Sequence, residues 1–547
     1  MNRLMLVTGL ALALCACGEK PSTVVASTDD ALATITQQGI HAHLEYLASD
    51  ALEGRLTGEP GFDLAAKYVA EQFAAIGLEP GGTEGWYQSV PLQSYLIDTA
   101  AASLVLHRDG GDVALTYRDD FTISGDKVRE QTQVRGELVY VGYGVHAPQY
   151  GYSDYEGIDL AGKIAVFFGG APAALPSEIR AHYASSKVKA RELVARGAVG
   201  VVSVMTRHSE QSYPWERIAK SAGTKPGMTW VTLSGEANDY FAEIQATAIL
   251  SPDAARSLFA GTPIDFDAAR DAREASSVAS VPLGVKASLA TRTTIERLES
   301  PNVIGILRGT DPELRDEYVV YSAHLDHVGR GVEVDGDDLY NGMYDNALGT
   351  AIMIESARAL AAAPPRRSIL FIALTGEEKG LLGSDYFAHY PTVPSDSIVA
   401  NVNIDMPLFL FPLADIIAFG AENSSLGPVA AAAASAEGLV LTPDPVPIEN
   451  IFVRSDQYSF VKKGIPAIYL DPGPTSTDDS IDGAAITTAF RRTHYHQPSD
   501  DLSQPIDWDS AVRFTRANTR IGWSIANDDA RPSWNEGNFF GEMFAPK

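Results

Sequence analysis

The chain has 547 residues, with 70 Asp and Glu against 42 Lys and Arg and a formal net charge of −28. That balance repels phosphate and argues against a nucleic-acid partner, which needs a basic stripe. The length is sufficient for two hydrophobic cores, and two cysteines, Cys15 and Cys17, do not make a disulfide framework.

In chain order, Arg3 opens a short basic start and Leu4 to Leu14 form an apolar stretch too short to span a bilayer convincingly. Leu14-Cys15-Ala16-Cys17 then resembles a bacterial lipobox with Cys17 as the lipid acceptor. Residues 1–17 are expected to be a lipoprotein signal peptide, with an ordinary cleaved secretory signal as the alternative. Membrane attachment through a lipidated Cys17 implies an exported lipoprotein on the outer membrane or periplasmic face of a bacterial envelope. Gly18 in place of an aspartate favours the outer membrane, and loss of Cys15 with the signal leaves no intramolecular disulfide.

Residues 18–28, rich in Ser, Thr and Val, read as a tether. Helical spacing at Ala66, Val69, Phe73 and Ile76, closed by Gly77, predicts helices between about Asp29 and Leu78. A second unit is assigned to residues 136–297. Its strand-like runs at Gly136–Val141 and Lys163–Val166, a helix near Ser186–Arg196 and a strand at Gly200–Val204 describe a βαβ element without a metal or nucleophile constellation.

The remainder, residues 298–547, carries the chemistry. Tyr318–Ala323 reads as a buried strand delivering His324-Leu325-Asp326-His327, Ile369–Leu374 delivers Glu377-Glu378, and Val399–Ile404 delivers Asp405. Continuous apolar runs alternating with helices such as Ala347–Leu360 predict an α/β fold, a mostly parallel twisted sheet covered on both faces. Ligands gather at the carboxyl ends of such strands. Two divalent ions about 3.5–4 Å apart need a bridging carboxylate with imidazole and carboxylate ligands on either side. Asp345, in the turn-rich approach to a helix, is the natural bridge. Asp326, two residues beyond His324, is expected to accept the imidazole's second N–H, while His327 reads as a surface histidine. Of the adjacent glutamates, Glu378 would bind metal and Glu377 would act as general base.

Together, His324-x-Asp326, Asn341-Gly342-x-x-Asp345-Asn346-x-x-Gly349, Gly376-Glu377-Glu378, Asn403-Ile404-Asp405-Met406 and Tyr495-His496-x-Pro498-x-Asp500 resemble metallopeptidase family 28, the co-catalytic di-zinc exopeptidases. The resemblance implies one Zn2+ on His324, Asp345 and Asp405 and a second on Asp345, Glu378 and His496, with Co2+ or Mn2+ as possible substitutes. It implies catalytic roles for Glu377, for Asp326 as ligand orienter and for Tyr495 as oxyanion donor, a packed aromatic being the alternative for Tyr495. Arg454-Ser455-Asp456 is similar to the family's groove segment, but a surface ion pair between Arg454 and Asp456 is the preferred reading of these two residues. The resemblance also gives residues 29–135 to the start of the catalytic domain, with Glu53 and Arg55 as structural residues. It makes residues 136–297 an inserted protease-associated (PA) domain, smaller and β-rich.

The implied activity is that of a zinc-dependent aminopeptidase acting on peptides, with Glu377 activating the water shared by the metals. The alternatives are a glutamate-releasing carboxypeptidase, which needs an arginine cluster for the substrate carboxylate, a single-zinc glutaminyl cyclase, or a non-catalytic receptor. No Gly-x-Ser-x-Gly elbow or His-Glu-x-x-His motif points to a serine hydrolase or a helix-borne zinc site.

Overall fold

The computed structural model describes residues 27–271 and 279–546, so the signal segment and residues 18–26 of the tether lie outside the described part. Seven strands organise the main sheet: β1 (Tyr87–Ile97), β2 (Val281–Leu307), β3 (Tyr318–His324), β4 (Ser368–Leu374), β5 (Ile398–Ile404), β6 (Asp415–Phe419) and β7 (Ala467–Pro472). Their spatial order is β1-β2-β4-β3-β5-β7-β6. The four central strands, β4, β3, β5 and β7, are parallel, and antiparallel strands flank them.

The apolar runs follow from burial on two faces. Val319, Tyr321 and Ala323 of β3 and Ile369, Phe371 and Ala373 of β4 pack into one core with the helices Gln37–Leu47, Pro60–Ile76, Leu348–Ala362 and Trp508–Asn527. The alternate residues Tyr318, Val320, Leu370, Ile372 and Leu374 form a second core with Phe387 and Phe460 on the opposite face. A period of two with both faces covered leaves no polar position along the strand except where chemistry or hydrogen bonding needs one. Ser322, Asn401 and Asn403 are among those exceptions: Ser322 Oγ donates to Asn403 Oδ1 (2.6 Å), and Asn403 Nδ2 donates to Ser455 Oγ (2.9 Å) and Gln457 Oε1 (3.0 Å). This buried polar line crosses from β3 through β5 to Ser455 and Gln457.

The predicted N-terminal helix ends as expected, with Gly77 at φ 93° accepting the left-handed cap that a Cβ would strain. The smaller unit starts earlier than residue 136. Ile97, Leu104, Leu106, Phe121 and Ile123 share one core with Leu138, Ile164, Val202 and Leu250, because Ser103–Arg108 pairs antiparallel with β2 and Phe121–Ile123 with Thr247–Leu250. The upstream chain therefore belongs by packing to the insert, and local hydrophobicity did not distinguish which core would claim it. The expected βαβ element is present, with Ile164–Phe168 and Gly200–Val204 parallel and helix Ser186–Ala195 between them. Both units share β2, a 27-residue strand whose first half pairs with Ser103–Arg108 and Gln131–Tyr140 and whose second half pairs with β1 and β4.

Candidate metal centre

The carboxyl ends of β4, β3 and β5 lie side by side, and each extends directly into chemistry. His324 is the last residue of β3, Asp405 follows β5 by one residue, and Glu377-Glu378 leave β4 through Thr375 and Gly376, the latter at φ 68°. Asp345 stands between the third strand and helix Leu348–Ala362, at φ −113° and ψ 86° rather than in the helix. His496 follows helix Gly483–Thr493 and is held at φ 53°, a conformation a histidine keeps only when its surroundings impose it.

Of these, His324, Asp345, Glu378, Asp405 and His496 converge in two groups joined by Asp345. His324 Nε2 is 3.0 Å from Asp405 Oδ1 and 3.3 Å from Asp345 Oδ1. His496 Nε2 is 3.2 Å from Asp345 Oδ2 and 3.0 Å from Glu378 Oε2. The two oxygens of one carboxylate thus face two separate donor sets. A tetrahedral zinc with ligands near 2.1 Å would separate its donors by about 3.4 Å, close to these distances. The buried His496 Nε2 makes no hydrogen bond despite its carboxylate neighbours. The imidazole nitrogen and the two carboxylates thus face a common third point, which fits a metal ion taking the place of the imidazole proton.

The arrangement around the ligands is built from the backbone. Asp500 accepts from the amides of Tyr344 (2.9 Å) and Asp345 (3.1 Å), clamping the Asp345 turn. Asn346 Nδ2 donates to Ile404 O (2.9 Å) while its Oδ1 accepts from Met406 N (3.1 Å), so it grips the chain on both sides of Asp405. Arg55 is 1% exposed and donates to the carbonyls of Leu325 (2.9 Å), Leu47 (2.5 Å), Asn341 (2.6 Å) and Gly342 (2.9 Å).

Three expectations are revised. Asp326 holds His324 through its backbone: the ring Nδ1 lies 3.1 Å from Asp326 O and 3.9 Å from the carboxylate. The Asp326 carboxylate instead accepts from the amides of Glu377 (3.1 Å) and Glu378 (3.3 Å) and from Thr57 Oγ1, so it positions the two glutamates. His327 is fully buried, its Nδ1 2.8 Å from Glu378 Oε1, and with Asp345, Glu378 and His496 it forms a four-residue donor cluster. An adjacent-residue argument missed it because distant segments close over it: its amide donates to Arg55 O (3.2 Å) and its ring meets Glu378 and His496. Arg454 and Asp456 make no ion pair: Arg454 reaches Glu449 at 3.8 Å, and Asp456 is wholly buried. Tyr495 stacks on His496 with ring centroids 3.9 Å apart, and burial together with Asp345 and Glu378 raises its hydroxyl well above the usual range, keeping it a donor.

The electrostatics divide the carboxylates. Burial raises Glu377 well above the usual range against the attraction of His324. Burial acts in the same direction on Glu378, but His496 beside it outweighs that and holds it at about 2. Carboxylates around His324 and His496 overcome burial and raise both imidazoles well above the usual value. Cation binding must displace those protons, so metal affinity falls as pH falls.

Asp471, 2.9 Å from Arg491, is pushed up to about 7 by burial, as is Asp456. Between pH ~4 and ~7 the folded protein keeps protons that the unfolded chain has released, so unfolding free energy decreases as pH rises through that window. Calorimetry of the metal-free protein should show Tm falling from pH 5 to 8, with a shallower slope in D471N; a Tm that rises over this range would contradict the assignment.

The fold and donor set define a metal site at the strand ends of an α/β sheet. Residues 302–521 match the model of Peptidase family M28. Similar proteins include aminopeptidase NAALADL1 of Mus musculus, 31% identical over 24% of this chain and 17% of the mouse protein. Aminopeptidase Y of Saccharomyces cerevisiae is 26% identical over 44% of this chain and 42% of the yeast protein, so the matches span less than half of these relatives. The solved structure of an aminopeptidase from Aneurinibacillus sp. strain AM-1 superposes with a TM-score of 0.55 at 18% identity, covering 92% of this chain and 97% of that one, which shows a shared fold.

Proposed function

We propose that the protein is a zinc-dependent aminopeptidase that binds two metal ions per chain and hydrolyses the N-terminal bond of peptides. The observation that carries this reading is the division of Asp345, with Oδ1 facing His324 and Asp405 and Oδ2 facing His496 and Glu378. His324, Asp345 and Asp405 would hold one ion; Asp345, Glu378 and His496 would hold the other, with His327 fixing Glu378 through Oε1. Bound zinc supplies Lewis acidity toward the scissile carbonyl and lowers the pKa of water.

The chain's own groups supply the rest. Glu377, raised by burial, takes the water proton at its carboxylate and returns it to the leaving amine. Asp326 fixes the backbone of both glutamates, and the Tyr495 hydroxyl donates toward the developing oxyanion. The names of the similar proteins support peptide substrates and an unblocked N-terminus.

The experiment is hydrolysis of unblocked leucine anilide with zinc counted on the same sample. About two zinc per chain, with activity lost on chelation and restored by zinc, is the expected result. Cleavage of N-blocked peptides alone would replace aminopeptidase by carboxypeptidase, and one zinc per chain would remove the two-metal assignment.

A further inference from the structure

The metal centre concentrates carboxylates in an already acidic chain, yet cations are fastened to its edge. Lys379 directly follows Glu378. Lys225 Nζ donates to the carbonyl of Val328, the neighbour of His327. Arg217 donates an Nη2–H to the carbonyl of Tyr495 (3.2 Å), the neighbour of His496. Arg454, two residues before Asp456, directs Nη2 toward the hydroxyl of Tyr213 at 3.5 Å. Three of these contacts come from residues 213–225 of the inserted unit. That segment is anchored by Trp215, whose Nε1 donates to the carbonyls of Arg118 (3.1 Å) and Asp119 (3.2 Å).

Charge pairing separates these groups from other arginines. Arg366 lies 2.5 Å from Asp529 and Arg367 2.6 Å from Glu317. Among the described residues, no carboxylate lies within ion-pair distance of Lys225, Lys379 or Arg217, and Arg454 has only the 3.8 Å contact to Glu449. Burial, then repulsion by Lys379, lowers the Lys225 ammonium to about 8, which leaves it charged at neutral pH. Glu378 attracts both Lys225 and Lys379 from the centre, and bound divalent ions would offset that pull and leave the lysines to a substrate carboxylate.

We propose that Lys225, Lys379 and Arg217, with Arg454 beside them, form a carboxylate-recognising rim that selects substrates carrying a negative charge close to the scissile bond. The inference rests on the peptidase reading above and adds its substrate class. Two sources share this chemistry: the free C-terminus of a dipeptide, and an Asp or Glu side chain just past the bond. An extended chain advances about 3.5 Å per residue, so either carboxylate stays within a few ångströms of a centre bordered by these groups. Ammonium and guanidinium donors bind such a carboxylate through charge-assisted hydrogen bonds.

The test compares kcat/KM for Leu-Gly against leucyl-glycinamide, and for leucyl-glutamate α-amide against leucyl-glutamine α-amide, on the zinc-loaded full chain. The charged member of at least one pair should be preferred by about tenfold or more, and the pair that shows it names the source. K225M should shrink that ratio several-fold through KM, K225R should keep it, and rising salt should erode it. Equal values within both pairs, while leucine anilide is still cleaved, would overturn the rim and leave the peptidase standing. Full preference in K225M would likewise overturn the role of Lys225, and no cleavage of any of these compounds would end both readings.

Discussion

E377Q is expected to lower kcat on leucine anilide by about 10²–10⁴-fold while zinc content stays that of the wild type. The substitution keeps the shape of the side chain and the amide that donates to Asp326 Oδ1, and removes only the proton acceptor. Glu377 lies outside both donor sets, whereas Glu378 directs Oε2 to His496 and Oε1 to His327. The neighbouring E378Q should therefore behave differently, losing metal as well as rate. Steady-state kinetics and elemental analysis on the same preparations check both results; an E377Q enzyme within a few-fold of wild type would move the general base elsewhere.

R55M is expected to destabilise the protein by about 3–5 kcal/mol and to weaken metal binding. Its guanidinium satisfies four carbonyls that are otherwise sealed from water, and a buried acceptor left without its partner costs about 1–3 kcal/mol, not additively. Leu325 follows His324, and Asn341 and Gly342 lead into the Asp345 turn, so the loss falls on the segments that carry two ligands. Burial lowers Arg55 to about 10, against the pull of Asp500, Asp345 and Asp326. Methionine would fill the volume but leave a carboxylate-rich centre without that buried charge. Denaturant unfolding of the metal-free protein and zinc competition would read the two effects separately; R55K, with a donor that cannot form the same fork, should fall between. Wild-type stability in R55M would mean that water replaces the guanidinium.

The sequence by itself determined the strands, their two-sided burial and the positions of His324, Glu378 and Asp405 at or just beyond strand ends, whereas Asp345 and His496 border helices. Those features depend on local periodicity and on residue types that have few other reasons to follow an apolar run. It also separated Glu377 from Glu378, because adjacent side chains diverge. What it could not determine was set by distant segments folding onto the centre. His327 joins the donor cluster because Glu378 and His496 fold against it, and the Asp326 carboxylate serves Glu377 and Glu378 because β3 and β4 end side by side. Arg55 lies some 270 residues from its acceptor Leu325, and no period or motif links them. The insert begins before residue 136 because one strand, β2, is divided between two sheets, and only strand pairing reveals which core the chain on either side joins. Tyr213, Arg217 and Lys225 likewise belong to no local motif, and tertiary packing brings them to the ligand loops. Local chemistry chose the ligands; long-range packing chose what surrounds and selects for them.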